Sequence, residues 1–291
     1  MASHPYVSIA SGIGGLDLGV ERGSSGTAFP VCYVENEITA ASVLAARMAE
    51  GALPEAPIWS DVKTFDGSEW RDKVAGVVAG YPCQPFSPAG QKKGADDPRN
   101  IWPDIVNVIK DVRPQWCFFE NVSHHLRLGY FQFVRPSLES LGFRCKEQLV
   151  AAADVGAPQT RKRLFILAYA GDADAASTYL QSESTLVDAN GIEPSKSKSD
   201  AKRTNLFISA IASRRLATTF PPSRKGQETK WEQIEEYYWP TIQPSIRRMA
   251  DGLSTGLGLP IATEHKLFGN AVVPDQAALA WRILWRAMIK E

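Results

Sequence analysis

The chain has 291 residues, 44% of them hydrophobic, enough for a sizeable buried core and one or two domains. Lys+Arg and Asp+Glu both number 32, so a highly basic histone-like protein and an acidic solvating one are excluded, and any nucleic-acid affinity must come from segregated charge. No basic segment followed by a long apolar core opens the sequence and no run reaches the ~18 unbroken apolar residues of a membrane span, so an intracellular, cytoplasmic protein is expected.

The first apolar run, YVSIA (6–10), predicts a strand, followed by the turn SGIGG (11–15) and a helix. Glycines at such a turn let the backbone approach a ligand, and the helix N-terminus favours a carboxylate or phosphate. The third glycine of a dinucleotide fingerprint is absent, because Asp17 stands in its place, so the turn alone reads equally as structural or as a cofactor loop. VCYVE (31–35) predicts a second strand ending on Glu35, where an acid can take ribose hydroxyls, and helical periodicity covers 38–50. Asp61, in WSDV, is a further acid at a strand end.

VAGVVAG (74–80) predicts a buried strand leading into GYPCQPFS (80–87), with Cys83 at a strand-to-loop turn after Pro82. A helix over 101–112, the strand QWCFFE (115–120), a helix over 130–141 and the strand RLFILAY (163–169) follow. This alternation predicts a parallel α/β sheet. The four cysteines are Cys32, Cys83, Cys117 and Cys145; they form no C-x-x-C pair and three sit in apolar runs, so neither disulfides nor a zinc site is expected.

Residues 171–200 are rich in Ser, Asp and Ala and read as a loop or linker. From Lys196 to Lys230, nine Lys/Arg face two acids, a net charge of +7, with Trp231, Tyr237, Tyr238 and Trp239 just beyond. This stretch reads either as a solvated face beside a small satellite core or as a nucleic-acid surface. GNAVVPDQAALAWRILWRAMIKE (269–291) reads as a Gly-Asn turn, a β-branched pair and a proline placed to start an amphipathic helix.

The ordered series SGIGG (11–15), VEN (34–36), SDV (60–62), GYPCQPFS (80–87), ENV (120–122), QTRKR (159–163) and GNAVVP (269–274) resembles the DNA (cytosine-5) methyltransferases. The resemblance implies a Rossmann-like S-adenosylmethionine-dependent methyltransferase fold, with a mostly parallel sheet, helices on both faces and a small second lobe. It divides the chain into a catalytic and cofactor-binding domain (1–170), a target-recognition lobe with its linker (171–244), and a C-terminal segment (245–291) that completes the first. It implies S-adenosyl-L-methionine as methyl donor and duplex DNA as partner. A monomer is expected, with a partner restriction endonuclease left open. The short interval before GNAVVP resembles the compact phage or prophage type, and PSIRRMADGLS (244–254) stands where a recognition signature belongs.

The chemistry accounts for the residue types. Carbon 5 of cytosine is a poor nucleophile until a thiolate adds to carbon 6, and Cys83 is the candidate thiol. The addition drives electron density toward N3 and O2, where a carboxyl group that has kept its proton by burial can stabilise it; Glu120, at the end of an apolar strand, suits that task. Taken alone, Glu120 reads as a turn or cap acid and Cys83 as a buried thiol. Arg161 and Arg163 alternate in an extended segment and so share a side, from which guanidinium groups hold O2 or phosphates. By family analogy Gly12, Gly14 and Gly15 approach the methionine part of the donor, Glu35 the ribose, Asn36, Asp61 and Val62 the adenine, and Asn270 and Ala271 the carboxylate end. The family usually has Phe where this chain has Ala10.

A stacked base cannot be attacked from both faces, so the target cytosine must be flipped out. Attack by Cys83, methyl transfer, loss of the carbon-5 proton and release of the thiol then follow. Ser87, Lys92 and Lys93, in a glycine-containing loop after Cys83, and Arg203, Arg214 and Arg215, in the basic stretch, are the candidate DNA contacts. Three rival readings are a transfer-RNA cytosine-5 methyltransferase, a non-enzymatic DNA-binding protein on the same fold, and an NAD dehydrogenase. The first lacks its Cys-Phe-Thr triplet here, the second predicts loss of Cys83, Glu120 or Arg161, and the third leaves GYPCQPFS and QTRKR without a role.

Overall fold

In the computed structural model, which describes residues 3–82, 100–157, 159–171, 267 and 270–289, the apolar runs assemble into one seven-stranded sheet. Its strands are β1 (His4–Ile9), β2 (Ala28–Val34), β3 (Ile58–Trp59), β4 (Gly76–Ala79), β5 (Trp116–Val122), β6 (Arg144–Ala151) and β7 (Lys162–Tyr169), in the order β3-β2-β1-β4-β5-β7-β6. All neighbours run parallel except β7, which lies antiparallel between β5 and β6. The helices are α1 (Gly15–Gly23), α2 (Ile38–Ala49), α3 (Trp102–Val112), a π-helical stretch (Leu126–Val134) continuing into α4 (Arg135–Glu139), and α5 (Pro274–Ile289). This is the mostly parallel, doubly covered α/β sheet predicted for the fold class.

The central strands are apolar on both sides because both faces are buried. Tyr6, Val78, Phe118 and Leu167 point to one face, against α1 and α5, while Val7, Val77, Phe119 and Ile166 point to the other, against α3 and the π-helical stretch. On the first face Trp116, Trp281 and Trp285 are fully buried, and Trp116 meets the other two edge to face, with the Trp116 and Trp281 rings 5.1 Å apart. One strand escaped prediction: β6 is an edge strand whose Lys146, Glu147 and Gln148 are part-exposed, so no apolar run marks it, while the strand expected before Asp61 is the two-residue β3. The helix predicted over 130–141 starts earlier, at Leu126, and ends at Glu139.

Helix α5 lies against α1 across a line of small residues. A Cβ on Gly15 would stand 2.5 Å from the Val272 carbonyl oxygen, and one on Gly19 would stand 2.4 Å from the Ala277 Cβ, so these positions admit no side chain. Arg22 pairs with Asp275 at 3.0 Å at the rim of this contact. The predicted lobe at 171–244 lies, from 172 on, outside the described residues, as does the stretch from 245 to Lys266. Among the described residues no helix is long and apolar enough to cross a membrane, and no cluster of His, Cys, Asp and Glu could hold a metal ion.

Asp17 occupies the place of the missing fingerprint glycine but points inward, 1% exposed, beneath the turn and near Tyr6, Ser8 and Arg47. Burial pushes its carboxyl up to about 6, outweighing the lowering by neighbouring polar groups and Arg47. A raised carboxyl pKa means that the folded chain holds this proton more tightly than the unfolded chain. The penalty of the ionised form is therefore absent at low pH and complete above about 6. Asp17→Asn is expected to stabilise the protein by about 1–3 kcal/mol at pH 8, with the difference vanishing near pH 4, in denaturant unfolding at both pH values.

Candidate active site

Strand order reverses between β1 and β4, and the crevice this leaves lies beyond the carboxyl ends of the parallel strands. The turn after β1, Glu35 after β2, Gly80 to Pro82 after β4 and Glu120 near the end of β5 all reach that edge. Because β7 is antiparallel, its first residues arrive there rather than its last. The register sets Arg163 opposite Val122 and Phe165 opposite Glu120. One reversed strand thus carries QTRKR to ENV.

Glu120 is 7% exposed. Its Oε1 lies 2.9 Å from Arg163 Nε, and its Oε2 lies 3.9 Å from where a Cβ on Gly80 would stand. Burial raises its carboxyl to about 7, and the nearby charges of Arg163 and Arg161 pull the other way without overcoming it. Near neutral pH the group is therefore divided between acid and carboxylate, the condition for giving and taking a proton. Arg161 Nη2 donates to the Ala271 carbonyl at 2.6 Å, and burial lowers its guanidinium to about 10. Gln276, fully buried on α5, donates to the carbonyls of Val150 at 2.8 Å and Arg161 at 2.9 Å, which fixes the backbone from which Arg161 projects.

Asn121 is 2% exposed and ties two of the blocks together. Its Nδ2 donates to the Tyr81 carbonyl at 3.1 Å and its Oδ1 accepts from the Val122 N–H at 2.8 Å. Cys83 lies outside the described residues, as do Ser87, Lys92, Lys93, Arg203, Arg214 and Arg215. The described chain reaches Pro82, exposed at the mouth of the crevice. Cys32, Cys117 and Cys145 are free and buried in the core, and burial pushes Cys32 up to about 11 and Cys145 to about 12, which makes them inert thiols.

The glycine turn forms the other half of the crevice. Gly12 and Gly14 adopt the left-handed region, with φ of 58° and 79°, and nothing lies within 4 Å of a Cβ placed on Gly12. The Glu35 carboxylate accepts from the Gly12 N–H at 2.7 Å and from the Glu37 N–H at 2.8 Å, and burial nonetheless raises its pKa. A carboxylate offers about four acceptor sites, so it can still take a further donor. Asn36, exposed, donates to the Ser60 carbonyl at 3.3 Å; Asp61 accepts from the Lys63 N–H at 3.0 Å, and Val62 is buried beside them. Ile38 and Trp59 stand 82% and 46% exposed at this end, a partly apolar opening beside a carboxylate. Asn270 is exposed at the far rim. Beneath the turn, the buried guanidinium of Arg47 donates to the Ile13 carbonyl and braces the loop against α2. An open backbone cradle, a held carboxylate and an apolar rim fit a nucleoside with a charged tail.

Asn121, Gln276 and Arg47 were not anticipated from the sequence. Asn121 sits inside a quoted block, but Gln276 and Arg47 carry no local signal because their partners are more than 30 residues away.

A sequence model of the family described as C-5 cytosine-specific DNA methylase matches residues 5–249. The Type II methyltransferase M.NgoMIV of Neisseria gonorrhoeae is 31% identical over 163 residues, 55% of this chain and 50% of its own length. The Type II methyltransferase M.CviJI of Paramecium bursaria Chlorella virus IL3A is 28% identical over 178 residues, 60% of this chain and 47% of its own. Each match thus spans about half of the relative's length. Among solved structures, the S. pombe Dnmt2 methyltransferase superposes with a TM-score of 0.60 at 17% identity, covering 98% of this chain and 99% of that one. The Entamoeba histolytica methyltransferase EhMeth gives 0.62 at 14% identity, covering 99% of each. At these identities the structures establish a shared fold.

Proposed function

The chain belongs to the C-5 cytosine-specific DNA methylase family, and from that premise we propose that it methylates carbon 5 of a flipped-out cytosine in duplex DNA, through a transient bond to Cys83. The observation that carries this reading is Glu120, a buried carboxyl near half-protonation, paired with Arg163 beside the chain that leads to Cys83.

S-Adenosylmethionine, bound in the crevice, supplies an electrophilic methyl group. Gly12, Gly14 and Gly15 would line its amino-acid part, Glu35 would accept its ribose hydroxyls, Asn36, Asp61 and Val62 would border the adenine, and Asn270 and Ala271 would lie toward its carboxylate. The open cradle at Gly12 and the remaining acceptor capacity of Glu35 support that placement. On the base side, the Cys83 thiolate adds to carbon 6 of the ring and electron density moves to N3 and O2. Glu120 holds a proton at N3 while that charge develops. Arg163 keeps the carboxyl oriented and Arg161 presents positive charge to the same region. Once carbon 5 carries the methyl group its proton passes to solvent, and the electron pair left behind forms the carbon 5–carbon 6 double bond and expels the Cys83 thiolate.

Ser87, Lys92, Lys93, Arg203, Arg214 and Arg215 are assigned to phosphate contacts, within a recognition lobe at 171–244 and a catalytic unit made of 1–170 and 245–291. The protein would act as a monomer in the cytoplasm, and its relatives' Type II designation leaves room for a partner endonuclease. Bisulfite sequencing of DNA from a methylation-free host expressing the chain tests the reading and finds the target together. Cytosines protected from conversion at one recurring sequence are the expected result. No protection beyond that in a host expressing Cys83→Ser overturns it, and protection of transfer RNA instead of DNA transfers the reading to the RNA substrate.

A further inference from the structure

Tyr81 stands two residues before Cys83, its side chain buried at 4% exposure in the face opposite α1. Its ring meets Trp102 at 5.1 Å, Phe119 at 6.2 Å and His125 at 5.5 Å between centroids. A hydrogen bond of 3.0 Å joins the Tyr81 hydroxyl to His125 Nε2, and the Tyr81 carbonyl accepts from Asn121 at the other end of the residue. His125 is fully buried. The π-helical stretch makes space for its ring at Gly129, where a Cβ would stand 2.2 Å from His125 Cε1. Trp102 is held in turn, its indole N–H donating to Ser137 Oγ at 3.0 Å and its backbone N–H to Asn100 Oδ1 at 3.2 Å. The contact between Tyr81 and Trp102 therefore joins the two ends of the segment 83–99, and the Tyr81–His125 hydrogen bond anchors that junction to the residues just after ENV.

We propose that Tyr81 and His125 form a positioning pair that touches neither base nor cofactor but fixes the direction in which the chain enters Cys83, and so the thiol's approach to the base opposite Glu120. A tyrosine serving only as core filler would be satisfied by its ring. Here a buried hydroxyl and a buried imidazole meet in a hydrogen bond, and that bond adds direction to the packing. Burial keeps the imidazole neutral at working pH, so the pair acts without a net charge.

The inference rests on the methyl-transfer reading, and its test separates the two. Wild type, Tyr81→Phe, His125→Leu and His125→Gln are compared for kcat with methylation-free genomic DNA, for S-adenosylmethionine binding by calorimetry, and for Cys83 alkylation by iodoacetamide, followed by mass spectrometry. Tyr81→Phe and His125→Leu are expected to lower kcat by about 5- to 30-fold and to change the alkylation rate at least about threefold, with cofactor affinity within about twofold of wild type. His125→Gln, which offers a polar atom near the position of Nε2, is expected to restore most of both. Tyr81→Phe removes a single oxygen and decides the question if His125→Leu does not fold. Rates of turnover and alkylation within twofold of wild type overturn the pairing. So does a fall in kcat without a change in alkylation, because the effect then bypasses the thiol. If the wild type transfers no methyl group while alkylation responds as stated, the methyl-transfer reading fails and the positioning role stands.

Discussion

Cys83→Ser is expected to bind duplex DNA as the wild type does and to lose methyl transfer by at least about 10⁴-fold. A serine hydroxyl at the same place is far more basic than a thiol once deprotonated and almost entirely protonated at neutral pH, so it adds to carbon 6 too slowly to activate carbon 5. No other thiol can substitute among the described residues, since Cys32, Cys117 and Cys145 are buried and pushed toward the protonated form. Gel-shift titration of duplex DNA alongside transfer of labelled methyl groups checks both halves of the expectation. Residual turnover above about 1% of wild type would remove the covalent step from the mechanism.

Glu120→Gln is expected to lower kcat by about 10²–10⁴-fold, the usual range for losing a positioned proton donor. The amide can still hydrogen-bond to N3 but has no proton to give. The wild-type rate should show the same group in its pH dependence. With the carboxyl raised to about 7, its protonated fraction is high below that pH and falls tenfold per unit above it, so kcat should decline on the alkaline side of about 7. In Glu120→Gln this limb should disappear from what rate remains. Arg163 loses its counter-ion in the variant, so single-turnover rates are measured on protein shown to be folded. An unchanged alkaline limb in the variant would assign that titration to a different group.

The sheet could be read from the sequence where burial on both faces forces apolar runs, as in β1, β2, β4, β5 and β7. It could not be read where an element faces water, as in β6, and in β3, too short for any periodicity, only the acid at its end marked the strand. The direction of β7 was also invisible, because a fully buried strand has the same composition whichever way it runs. That direction is what delivers Arg161 and Arg163 to Glu120. The crevice residues stood out as short blocks because their spacing along the chain is local. What holds them in place was not legible: Asn121 to Tyr81, Gln276 to Arg161 and Tyr81 to His125 are contacts through space. Asp17 drew attention as a departure from a glycine pattern, yet its effect lies in the core under the turn.

The seam between α1 and α5 also has a consequence for biosynthesis. Arg22 and Asp275, paired across it, are separated by 253 positions, so the ribosome releases the glycine turn long before the helix that covers it. Until α5 emerges, Trp116 and the inner side of α1 lack their cover, and the nascent chain presents greasy surface that chaperones recognise. Contacts of such long sequence separation form late and slowly, which ties maturation of the whole crevice to the arrival of α5.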